Sequence, residues 1–86
     1  MQIKKQLVLR EIAGDYALIP IGDTIIENNG LFSLTETAAR IWELLPQAAG
    51  PEELVDTLLE EYEVDRPTLE ADVTAFLAQL GELGIL

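Results

Sequence analysis

An α+β domain with its strands first and its helices second is what this sequence predicts, and three observations predict it. The first third alternates apolar and polar residues between turn signals, a period of two. The last half repeats apolar residues at i, i+3, i+4 and i+7, a helical period. The 86 residues, 49% of them hydrophobic, suffice for one core, and there is no cysteine to staple it. The expectation is a three-stranded antiparallel sheet followed by three helices (βββααα), in a single domain over 1–86.

The strands come in order. Gln6 to Ile12 places Leu7 and Leu9 on one face and Val8, Arg10 and Ile12 on the other. Ala13-Gly14-Asp15 is a turn signal, and Tyr16 to Ile21 is a second strand that completes a hairpin. Pro20 has no N–H to donate, so it belongs at an edge, a strand end or a bulge. Thr24 to Glu27 is a short extended piece. Asn28-Asn29-Gly30 is a turn, and Leu31-Phe32-Ser33-Leu34 is the third strand.

The helices follow. Thr35 is an N-cap and Glu36 an acid in the first turn. Helix one runs to Leu45, with Ala38, Ile41, Trp42 and Leu45 as its stripe, and Pro46 stops it. Helix two begins at Pro51 with Glu52 and Glu53 behind it, and Leu54, Val55, Leu58, Leu59 and Tyr62 form its core face. Asp65 caps helix three, whose stripe is Leu69, Val73, Phe76, Leu77 and Leu80. Gly84 fits the C′ position of a Schellman stop, and Ile85-Leu86 fold back as apolar cover. Gly81 marks either fraying or close packing.

Composition removes most chemistry. There is no histidine, so the commonest general base and zinc ligand is missing along with the thiolate. Ser33, the only serine, has no base near it in sequence, and Phe32-Ser33-Leu34 is not the Asp-Ser-Leu of carrier proteins. The acids from Glu60 to Asp65 lack the alternating oxygens and the glycine of a calcium loop. A non-enzyme without metal or cofactor is expected. Net charge is −11, and residues 43–86 hold eleven acids against Arg66 alone. Such a chain repels nucleic acid. No long apolar run follows Met1, so neither a signal peptide nor a membrane span is expected, and the location expected is cytoplasmic.

The third strand carries no charge or proline to blunt its edge. Either a helix covers that edge or it is open to an incoming strand.

The stretch Gly30 to Leu45 carries a resemblance. A glycine, an apolar pair, Leu34, a capping Thr35, then Glu36-Thr37-Ala38-Ala39-Arg40-Ile41-Trp42-Glu43-Leu44 resembles the PQQ-biosynthesis D-protein (PqqD-like) family nearly position by position. Thr35 stands where the family usually has Asn, and both cap helices. The likeness spans about residues 7–86.

The resemblance implies a compact winged-helix-like fold. It implies a non-catalytic recognition domain or chaperone for ribosomal peptide natural products. Such a domain binds the leader of a precursor peptide as an added antiparallel strand. It presents that leader to a maturation enzyme such as a radical S-adenosylmethionine protein, a leader peptidase or a cyclase. The docking strand is then Leu31, Phe32, Ser33 and Leu34, or alternatively Thr24 to Glu27. Leu69, Val73, Phe76 and Leu77 are the expected pocket lining on helix three, and Asp72 is placed to meet a basic leader residue. Two other readings compete. A scaffold subunit would stabilise an enzyme without binding peptide. A winged-helix DNA reader would need cations on helix three, and Pro67 to Leu86 has none.

Overall fold

The computed structural model describes residues 1–22 and 32–86. Three strands, β1 (Leu7–Ile12), β2 (Asp15–Pro20) and β3 (Phe32–Leu34), precede three helices, α1 (Glu36–Leu44), α2 (Pro51–Glu61) and α3 (Arg66–Glu82). This is the βββααα order read from the sequence. The piece Thr24 to Glu27, the turn at Asn28 to Gly30, and Leu31 lie outside the described residues.

The sheet is antiparallel with strand order β1-β2-β3. Ala13 and Gly14 join β1 to β2 with φ of 53° and 87°. Two positive φ values are the signature of the tight hairpin turn whose twist matches that of the strands. Pro20 closes β2 opposite Leu7, at a strand end as its missing N–H requires.

Helices α1 and α3 start on sequence-legible side-chain caps. Ala38 N–H donates to Thr35 Oγ1 at 3.1 Å at the head of α1. Thr68 donates its N–H, at 3.2 Å, and its hydroxyl to the Asp65 carboxylate at the head of α3. These bonds, the hydroxyl's first, hold the Asp65 carboxyl below its ordinary value. The α-helix ends at Leu44, just ahead of Pro46 as expected. The chain tightens at Leu45 into a 3-10 turn that carries Pro46 through to Gln47, because proline at the start of a turn gives up no needed donor.

The end of α3 is a Schellman motif. Gly84 has φ of 74°, its N–H donates to Gly81 O at 3.1 Å, and Ile85 N–H donates to Leu80 O at 2.9 Å. Ile85 is thereby folded into the core, fully buried. Gly81 is exposed, and a Cβ placed on it would meet nothing within 4 Å. Close packing is therefore not its role. Gly81→Ala is expected to stabilise the domain by about 0.5 kcal/mol through the lost backbone freedom of glycine, read as a higher midpoint in urea.

The core joins the sheet to all three helices. Leu18 of β2, Ile41, Trp42 and Leu45 of the first helical run, Leu54, Val55 and Leu58 of α2, and Leu69, Val73, Phe76 and Leu80 of α3 form one buried cluster. Leu7, Leu9 and Leu34 pack on it from the sheet. The helices thus cover one face of the sheet, and α2 packs along α3.

Candidate functional site

The phase of the sheet decides what β3 offers. Ile21 N–H donates to Gln6 O at 3.1 Å, just beyond the Leu7–Pro20 pair. In an antiparallel ladder the hydrogen-bonded pairs alternate. Val8–Ile19, Arg10–Ala17 and Ile12–Asp15 therefore exchange bonds between β1 and β2. Tyr16 and Leu18 turn their main chain the other way, toward Leu34 and Phe32 of β3. Ser33, between those two, points both its N–H and its C=O away from β2. It is exposed, and β3 is the last strand of the sheet among the described residues.

Beside this edge lies a groove of about 360 Å³. One wall is Ser33, Leu34, Thr35, Thr37, Ala38 and Ile41, and the other is Asp72, Ala75, Phe76 and Gln79 of α3. The first wall follows from the chain's passage from strand straight into a capped helix. The second is one helical row, i, i+3, i+4 and i+7. Ile41 and Phe76 form a buried apolar floor, 1% and 6% exposed, while Asp72, Ala75 and Gln79 form an exposed rim. Larger depressions around Ala49 to Asp56 and around Met1 to Ile3 adjoin no strand edge.

The structure brings together Ser33, Leu34, Asp72 and Phe76 of the residues expected to bind peptide. Phe32 contributes backbone to β3, and Leu31 lies outside the described residues. Leu69 and Val73 are buried at 1% and 0% and do not line the groove. Leu77 is half-buried against the same core. All three sit on the part of the α3 stripe turned toward the helices. Sequence reasoning did not assign Thr35, Thr37, Ala38, Ile41, Ala75 and Gln79 to the site. The row through Ala75 and Gln79 is regular in spacing but mixed in polarity, so a search for apolar stripes passes over it.

The surroundings are anionic. The Tyr16 hydroxyl is pushed above its ordinary value by Glu11 first, then by burial, Glu36 and Glu43. Burial, then Glu36 and Glu61, does the same to Tyr62. Asp72 is the one charged residue lining the groove. Among the described residues no group of three or more side chains could hold a metal ion, and no helix is long and apolar enough to cross a membrane. An exposed main-chain edge over an apolar trough can hold an extended polypeptide.

The profile of coenzyme PQQ synthesis protein D (PqqD) matches residues 20–86. The chain belongs to the PqqD family. Two solved structures resemble this PqqD-family chain over nearly its whole length. TbiB1 in complex with the TbiA(β) leader peptide is 35% identical, with a TM-score of 0.72, covering 100% of this chain and 94% of that one. A lasso peptide synthetase B1 complexed with its leader peptide is 23% identical, with a TM-score of 0.69, covering 94% of this chain and 89% of that one; at that identity it speaks for the fold. No curated protein sequence matches the chain.

Proposed function

We propose that this domain binds the leader segment of a ribosomally made precursor peptide as a fourth strand on β3 and holds it for a maturation enzyme. The observation that carries the reading is the outward main chain of Ser33 beside the groove. Strand addition draws affinity from main-chain hydrogen bonds and specificity from pockets for alternate side chains. Both parts are present within one short stretch of surface. That a 35%-identical relative was solved with a leader peptide supports the same reading. The domain itself is not a catalyst in this account. It supplies the peptide to an enzyme of the kind that modifies, cuts or cyclises such precursors.

DNA reading by α3 is disfavoured by charge. Its only cation is Arg66, and Asp56 holds that side chain.

A backbone NMR titration of the labelled domain with the leader encoded beside its gene tests the proposal. Shifts are expected at Ser33 and Leu34 and along Asp72 to Gln79, with cross-strand contacts between the peptide and Ser33. An unchanged spectrum at high micromolar peptide would refute leader binding and leave the scaffold role.

A further inference from the structure

Asp72 is the one acid that lines the groove beside β3. Arg40 grips Glu61 through two bonds of 2.7 Å and lies 3.8 Å from Glu43. Arg66 holds Asp56, and Lys5 donates to the Leu83 carbonyl at 2.9 Å. Beyond Arg66 the chain has no Lys or Arg at all. Asp72 stands in the groove wall with no hydrogen-bond or ion-pair partner among the described residues. Its neighbours along the groove are uncharged. A carboxylate at the edge of an apolar floor, once an incoming strand has displaced water, attracts a cation more strongly than one on open surface.

We propose that Asp72 selects a basic side chain in the bound peptide. This rests on the reading of β3 as a peptide-docking edge, and it names what that edge prefers. The register says where the basic residue falls. Directly opposed residues of paired strands share a face, so the peptide residue opposite Ser33 points to the side of the sheet away from the helices. The residues on either side of it, two positions apart, point toward the helices. One fills the apolar floor of Leu34, Ile41 and Phe76. The other carries Lys or Arg to Asp72. The preferred segment therefore has an apolar and a basic residue separated by one. The chain's net charge of −11 acts in the same direction, drawing cationic peptides and slowing acidic ones.

The test is selection of random twelve-residue peptides displayed on phage against the immobilised domain and its Asp72→Asn and Asp72→Lys variants. Asp72 is exposed and supports no other side chain, so both variants are expected to fold, as circular dichroism checks. The native domain is expected to enrich Lys or Arg two positions from an apolar residue. Asp72→Asn is expected to lose the charge preference, and Asp72→Lys to switch it to Asp or Glu. A synthetic peptide from the native pool is expected to bind Asp72→Asn about tenfold more weakly and with less dependence on salt. If all three proteins enrich one consensus without charge, peptide docking stands and selection by Asp72 is wrong. If none enriches any sequence, the docking reading fails and takes this inference with it.

Discussion

Ser33→Pro is expected to weaken leader binding by up to about a hundredfold while the domain stays folded. Proline removes the N–H that faces outward from β3 and puts a ring in the path of the incoming strand. A peptide carbonyl left without its donor costs about 1–3 kcal/mol, and each 1.4 kcal/mol is about tenfold in affinity. The fold survives because the bonds between β2 and β3 run through Phe32 and Leu34, on either side of Ser33. Edge strands accept proline where the N–H faces solvent. Two companion variants separate the causes. Ser33→Ala changes only the side chain and is expected to bind like the native domain. Leu34→Pro removes a bond to Tyr16 and is expected to lower stability. Isothermal titration with the leader, beside thermal melts, reads all three. Native affinity in Ser33→Pro would rule out strand addition at this edge.

Leu18→Ala is expected to cost about 3 kcal/mol of folding stability. Leu18 is fully buried, in the middle of β2, with Leu9 opposite it on one side and Phe32 on the other. Its side chain belongs to the cluster that ties the sheet to the helices. Shortening it leaves a hole that neither neighbour strand can close without leaving its register. For a small domain that is a large share of an ordinary total of about 5–15 kcal/mol. Urea unfolding should show a lower midpoint at an unchanged slope. Leader peptide should restore part of the loss, because a ligand that binds only the folded state stabilises it by mass action. A loss below about 1 kcal/mol would mean that Leu18 is not a keystone of the sheet-to-helix packing.

Much of the fold was legible in the sequence because the signals are local. Thr35 and Asp65 cap helices whatever else the chain does, since their oxygens reach backbone donors three residues on. Gly84 marks a helix end because its positive φ suits glycine. Pro46 marks the end of α1 at Leu44, while the 3-10 turn that follows was not foreseen, because proline forbids an interior α-helical hydrogen bond but not the opening of a tighter turn. The candidate site was legible only in part. Ser33, Leu34 and Phe76 stood out through an uncharged strand and an apolar stripe, whereas Gln79 and Ala75 carry no such mark.

By itself the sequence determined the order of strands and helices, their caps and stops, the residues that fill the core, and membership of a family. The first three follow from periodicity and from contacts within a few residues; membership of the family follows from the match to its profile over residues 20–86. The tertiary structure alone decided three things. It turned the main chain of Ser33 away from β2, at the edge of the sheet among the described residues, which depends on a hydrogen-bond phase that starts at Gln6 and Ile21. It turned Leu69 and Val73 inward and Phe76 to the groove floor, since burial on three neighbouring elements fixes how α3 is rotated. And it set Asp72 across from Ser33, thirty-nine residues apart in the chain. Hydrophobic burial is non-directional: a stripe tells which residues leave water, and only packing tells which neighbour they meet.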